Sequence, residues 1–422
     1  MYKFLLPFCF IFSEGFAQNN FDQYFISKTL RIDVYENGNA TDRTIIFSQA
    51  RQEPYWAGPK NTLDTFNLGE YQYLVYDSIS QKLIFNKGYS TLFHEWRTTA
   101  EAKKETRSML ESLLMPFPKN TIKLVIQARN KEMIYETIFT RYINPNDRFI
   151  NKENPKRFNW HYIQQNGNYT DKVDVVFIPD GYTASEMKKF NDDAKRFSDY
   201  LFNSSPYKEN KSKFNILAIE AISDDSGTDF PGENIWKNTA VSTNFYTFNT
   251  DRYLTVSDNK NLRDIAGLVP YDFFIIIVNT PTYGGGGVYN SFSVVSSDNE
   301  YSEYVNVHEF GHAFAGLGDE YYDSDVAVEN FYSLTKEPWE PNLTNLTDFN
   351  KKWKSMILKD TPVPTPTNAT YKDKVGAFEG AGYSAKGLYR PAIDCTMKSI
   401  SVDNFCPVCK KAIQIMINFY AK

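Results

Sequence analysis

From about Tyr24 to Tyr142 apolar and polar residues alternate in short runs: ISKTLRIDVYENGNATDRTIIF, YQYLVYD, NTIKLVIQA and EMIYETIFTRY. A period of two marks strands that bury one face, and Asn37-Gly38-Asn39 and the DSISQ stretch separate the runs as hairpin connections would. One segment, TAEAKKETRSMLESLL, has a helix-forming composition and is expected as a helical insertion. The region from 18 to 145 therefore reads as an all-β sandwich. The polar, Asn/Pro/Lys-rich passage from Ile143 to Asn159 reads as a connection, and a linker is placed at 146–165.

The pattern then changes. Val173–Ile178 is a short continuous apolar run, followed by PDGYT and an amphipathic helix from Ser185 to about Phe202. FNILAIEAIS and the stretch from Tyr271 to Asn279 are further strands, set apart by long loop-rich segments. Strands buried on both faces and alternating with helices indicate an α/β (α+β) domain over 166–422. Gly284-Gly285-Gly286-Gly287 precedes the alternating VYNSFSVVSS; it reads either as an exposed strand to which an extended peptide adds, or as a loop before an ordinary strand.

Composition narrows the function. Hydrophobic residues at 42% and charged residues at 23% describe a chain that buries real cores. A net charge of -5 without a long Lys/Arg run excludes nucleic acid as the expected partner. At the start, Lys3, the apolar run Phe4–Phe12 and Gly15-Phe16-Ala17 fit a secretory signal over 1–17, so a secreted, periplasmic or cell-surface location is expected. That run is too short to span a bilayer, and no membrane-spanning segment is expected elsewhere. Without the signal, Cys395, Cys406 and Cys409 remain, and one bridge plus one free thiol is the simplest arithmetic.

The chemistry lies in YVNVHEFGHAFAGLGDEYY. His308 and His312 are four apart, so on a helix they share a face and can aim ring nitrogens at one zinc ion. Glu309 sits beside the first ligand, placed to take a proton from a water at the metal. A catalytic zinc needs a third protein ligand and an open position. In the metzincin pattern H-E-x-x-H-x-x-G-x-x-H, a glycine ends the helix and the ligand follows three residues later. Here Gly316 lies four beyond His312 and Asp319 three beyond Gly316, so Asp319 is the expected ligand and Glu320 the runner-up. A ligand on a later helix would nominate Glu329. His94 and His161 stand alone beside aromatic residues and read as ordinary packing. Asp180, Asp224, Asp225 and Asp229 read as turn caps in preference to a calcium site.

Three blocks in order, VDVVFIPDGYTASEMKKF, HEFGHAFAGLGDEY and GLYRPAIDCTMKSISVDNFCPVC, resemble the zinc metalloendopeptidases grouped with bacterial IgA-cleaving peptidase, metallopeptidase family 64. The resemblance covers most of 166–422. It implies a metzincin-like catalytic domain preceded by a β-rich domain, with His308 and His312 binding Zn2+ and Glu309 catalytic. The IgA-cleaving enzyme is much longer, so the implied substrate is a protein or glycoprotein, with an immunoglobulin one candidate. In the third block Met397 is the candidate floor beneath the ligands. Tyr389 is the candidate oxyanion donor. A bridge from Cys395 to Cys406 or Cys409 could lock the turn. A redox motif or metal knuckle at Cys406-x-x-Cys409 finds neither a thioredoxin-type context nor a second ligand pair. The alternatives to a peptidase are a surface adhesin or glycan-binding protein with a vestigial zinc site, against which an intact Glu309 argues, and a zinc hydrolase acting on non-peptide amides.

Overall fold

The computed structural model describes residues 21–153, 155–322, 331–402 and 404–422; the expected signal segment and Glu329 lie outside the described residues. A one-turn helix, α1 (Phe21–Tyr24), leads into β1 (Phe25–Gly38), β2 (Arg43–Glu53), β3 (Tyr71–Asp77), β4 (Leu83–Tyr89), the short helix α2 (Leu92–Trp96), β5 (Arg107–Pro118), β6 (Ile122–Arg129) and β7 (Tyr135–Ile143). These strands form two antiparallel sheets, ordered β2-β1-β5 and β4-β3-β6-β7. Alternate residues of each turn inward, so Leu30, Ile32 and Val34 of β1 share one core with Tyr71, Tyr73 and Val75 of β3 and Leu124 and Ile126 of β6.

The helix expected over TAEAKKETRSMLESLL is not formed. Its second half is β5, paired with β1 from Gly38↔Arg107 to Phe25↔Pro118. Leu, Met and Glu favour a helix in isolation, but a long ladder and an inward-facing Leu113 and Met115 outweigh a preference of a few tenths of a kcal/mol per residue.

The second part comprises β8 (Trp160–Gln164), β9 (Val173–Asp180), α3 (Met187–Asn203), β10 (Phe214–Ile219), the small pair β11 (Thr243–Asn244) and β12 (Thr255–Val256), α4 (Asn259–Ala266), β13 (Phe273–Val278), β14 (Gly285–Val288), β15 (Phe292–Ser296), α5 (Ser302–Ala315), β16 (Phe378–Ala381), β17 (Ser384–Arg390) and α6 (Pro407–Tyr420). A sheet of order β14-β15-β13-β9-β10-β8 has a parallel centre and antiparallel strands at both edges. Every residue of β9, β10 and β13 is buried, as their unbroken apolar runs require. One sheet face packs Val175, Phe177 and Ile275 against α3, α5 and α6; the other packs Val176, Ile178 and Ile276 with Leu262 and Ile265 of α4. Since β8 pairs with β10, the chain has joined this sheet by Trp160, inside the stretch expected as linker.

The two parts are joined by buried charge. Arg31 of β1 is fully buried and meets Asp33 at 3.1 Å, Glu53 at 3.0 Å and Asp264 of α4 at 2.6 Å. Removing the guanidinium strands Asp33 and Glu53 in a low-dielectric interior, which typically costs about 3–5 kcal/mol. Arg31→Leu should therefore lower stability by about that much in denaturant unfolding; a variant as stable as the parent would show that this network does not hold the two parts together.

Candidate active site

Helix α5 runs from the end of the sheet into the middle of the domain, and residues on most of its faces are buried, including Val305, Phe310, Gly311 and Phe314. Its neighbour is the edge strand β14, and the glycine run there is a consequence of closeness. A Cβ at Gly287 would collide with the carbonyl oxygen of Glu309, and one at Gly285 with Val305. The outer edge of β14 is not open: Tyr253 makes a parallel bridge to Gly285. Of the two readings of the glycine run, the exposed strand open to an extended peptide meets an edge that is partly occupied by the chain itself.

The helix ends as its sequence requires. Gly316 adopts a left-handed conformation, φ 60° and ψ 32°, donating to the carbonyl of His312, and the Leu317 amide reaches back to Gly311. The reversed chain returns Asp319 to the two histidines. His308 Nε2 and His312 Nε2 lie 3.1 Å apart, and Asp319 Oδ1 lies 3.1 and 3.3 Å from them. Ligands at zinc-bond lengths and tetrahedral angles are separated by about 3.3 Å, so this triangle has the size a zinc ion needs.

The surrounding bonds set the histidine tautomers. His308 Nδ1 faces the Thr396 carbonyl at 3.0 Å, with the Tyr304 hydroxyl at 3.2 Å, and His312 Nδ1 faces the Leu317 carbonyl at 2.5 Å. With Nδ1–H given to a carbonyl, each Nε2 presents a lone pair inward. Two lone pairs and a carboxylate oxygen then face one another, and among the described residues Asp319 Oδ1 has no hydrogen-bond partner. Only a proton or a cation relieves that arrangement. Burial works to lower His312, but the Asp319 carboxylate outweighs it and raises the imidazole to about 9. Asp319 is pulled well below the usual carboxylate range by His312 and His308 against the opposing effect of burial. The donor set therefore fits a divalent cation. The Tyr383 hydroxyl donates to Asp319 Oδ2 and so orients the carboxylate.

Glu309 lies within reach of the same centre, its carboxylate within 4.8 Å of the imidazole nitrogens. Burial pushes its carboxyl up, opposed by His308 and His312. Met397 is buried beneath α5, its Sδ 3.1 Å from the position of a Gly311 Cβ, in the turn whose Thr396 carbonyl holds His308. Glu320, the runner-up ligand, points the other way: its Oε1 accepts from Asn342 at 2.9 Å and from the Cys409 thiol at 3.1 Å. The three cysteines are unbridged, and Cys395 Sγ and Cys409 Sγ are 3.9 Å apart, where the expected disulfide would need about 2.05 Å. Asp180 accepts from the amides of Val241 and Thr243, and Asp225 and Asp229 from those of Asn238 and Lys237, so these carboxylates tie together loops distant in sequence and do not cap their own turns as expected.

These residues open onto a cavity of about 190 Å³. Tyr389 does not line it; the backbone of Tyr389 pairs with Thr344, and the tyrosines lining the cavity are Tyr253, Tyr283, Tyr289, Tyr321, Tyr332 and Tyr383. Part of the wall comes from the β-rich part: Glu70, Thr91, His94 and Glu95. The Tyr253 hydroxyl donates to Glu95 at 2.6 Å and Trp339 Nε1 to Glu70 at 2.9 Å, which ties this wall to the site. Burial lowers His94 to about 4 and raises Glu95 to about 7. No local spacing links these residues to the histidine helix, so His94, which reads from sequence as ordinary packing, is instead part of the cavity wall, and Glu70, Thr91 and Glu95 carry no sequence signal.

An α/β domain that presents two imidazoles, a carboxylate and an adjacent glutamate to one cavity has the arrangement of a metal-dependent hydrolase. The sequence model of the IgA Peptidase M64 family matches residues 162–372 and 367–417, and the model described as Peptidase M64 N-terminus matches 20–140. The chain belongs to this metallopeptidase family, which implies peptidase activity. No curated protein matches it. Among the described residues no helix is long and apolar enough to cross a membrane.

Asp319→Ala should weaken zinc binding by more than about 100-fold, beyond the 10–100-fold typical of a supporting hydrogen bond, and Tyr383→Phe should fall within that smaller range. Competition with a chromophoric chelator measures both; unchanged affinity in Asp319→Ala would remove the carboxylate from the ligand set.

Proposed function

We propose that the protein is a secreted, zinc-dependent endopeptidase in which His308, His312 and Asp319 hold the ion and Glu309 is the general base. The observation that carries this reading is the buried Asp319 oxygen set between two imidazole nitrogens, with the Glu309 carboxylate within 4.8 Å of the same nitrogens. When bound, Zn2+ would acidify water and polarise a carbonyl. The protein's own part is positioning. Glu309, pushed up by burial, takes the proton of the attacking water and passes it to the leaving amine. The Arg252 guanidinium, close to Tyr283 and Tyr321, faces the same cavity and is placed to meet the negative charge that develops on the carbonyl oxygen, the role expected of Tyr389. The Gly316 turn before Asp319 and the Met397 turn below the histidines support a metzincin-like arrangement. Lys3 and the apolar run Phe4–Phe12 support export to the periplasm, cell surface or medium. A protein or glycoprotein substrate, an immunoglobulin included, is consistent with a cavity bounded by both parts of the chain.

The test is digestion of a mixed extracellular proteome by the full chain, with cut sites mapped by mass spectrometry. Cleavage should be abolished by chelation and restored by Zn2+. Glu309→Gln should retain zinc and lose about 10²–10⁴-fold in turnover, the usual share of a general base. Chelator-insensitive cleavage, or a zinc-loaded Glu309→Gln with full activity, would contradict the mechanism; binding to glycoproteins with no cleavage would favour a vestigial site on an adhesin.

A further inference from the structure

Behind the histidine site, on the far side of the loop that carries Asp319, a second group of ligand-type side chains converges. Glu320, Cys395, Cys406 and Cys409 are all buried, and their ligand atoms lie within 4.8 Å of one another. They come from three places: the return loop after α5, the turn containing Met397, and the first turn of α6. We propose that these four residues form a second, structural zinc site that braces the catalytic one.

The geometry has the size of a metal site and not of a disulfide. Two Zn–S bonds of about 2.3 Å at a tetrahedral angle separate their sulfurs by about 3.8 Å. Cys395 Sγ and Cys409 Sγ are 3.9 Å apart, and Cys409 Sγ and Glu320 Oε1 are 3.1 Å apart. Backbone amides point at the sulfurs, Cys406 N to Cys395 Sγ at 3.2 Å and Cys409 N to Cys406 Sγ at 3.5 Å, as suits sulfur bearing negative charge.

Glu320 is the independent observation. It is fully buried, Oε1 is held by Asn342, and among the described residues Oε2 has no hydrogen-bond partner. A disulfide between any two of the cysteines would leave the buried Oε2 without a partner and Oε1 beside at most one thiol, a need that a bound cation meets. Three thiolates select a soft ion such as zinc over calcium or magnesium. On loading, the three thiol protons go to solvent. The net negative charge that remains is eased by Arg390, whose charge acts on Glu320, and by the N-terminal end of α6, where Cys406 is the capping residue.

Such an ion would fasten the parts that shape the other site. Glu320 directly follows Asp319, and its amide donates to the Met397 carbonyl at 2.8 Å. Cys395 precedes Thr396, whose carbonyl orients His308.

The test is metal counting on the full chain purified without chelator. Wild type should hold two zinc ions, and the His308→Ala/His312→Ala variant one. Cobalt titrated into that double variant, after its zinc has been stripped with a chelator under reducing conditions, should bind at one equivalent, with the near-ultraviolet absorption of a cobalt–thiolate bond, which adding Cys409→Ser should abolish. Alkylation under denaturing conditions should modify all three of Cys395, Cys406 and Cys409. A double variant without zinc, cobalt binding without thiolate absorption, or a chain in which two of the three cysteines resist alkylation would overturn the proposal. If the catalytic reading alone were wrong, wild type and double variant would each hold one ion with the thiolate signature.

Discussion

Asp319 Oδ1 faces two imidazole nitrogens at 3.1 and 3.3 Å in a buried position and lacks a hydrogen-bond partner among the described residues, so the fold contains a charge that something positive must meet. Burying a carboxylate costs several kcal/mol, and here the imidazoles offset it, His312 above all, whose proton affinity Asp319 raises, while the three donor atoms stay at metal spacing. Much of the neighbourhood serves this one convergence. Gly316 reverses the chain, the carbonyls of Leu317 and Thr396 turn the rings, and Tyr383 fixes the carboxylate from behind.

The β-rich part does more than precede the catalytic part. Arg31 binds it to α4 through buried ion pairs, and α2 delivers His94 and Glu95 to the cavity wall. Burial lowers His94 to about 4 and raises Glu95 to about 7, which reduces the charge these two side chains bring to the wall. The cavity is therefore a property of the two parts together, and an isolated catalytic part would have an incomplete one.

Much of this was legible in the residues. Unbroken apolar runs identified β9, β10 and β13, because strands buried on both faces have no polar side to show. The spacing of His308, Glu309 and His312, with Gly316 and Asp319 beyond, described a local structure governed by helix period and a left-handed glycine. Long-range partners were hidden. The β5 strand carries helix-forming residues and is set by its ladder with β1. Tyr389 is near Met397 in sequence, whereas the cavity takes Tyr383 from the Gly382-Tyr383 connection between β16 and β17. The three cysteines suggested a bridge because their fourth companion, Glu320, lies far away along the chain. The α6 helix carries its own marks, Cys406 at the cap, Pro407 in the first turn and apolar residues at helical spacing.

The most direct measurement is anomalous diffraction at the zinc edge from crystals of the full chain. A peak about 2.0–2.2 Å from His308 Nε2, His312 Nε2 and Asp319 Oδ1, with no fourth protein ligand, is the predicted result. No density between those three atoms, or an ion closed off by a fourth side chain, would contradict a hydrolytic metal centre.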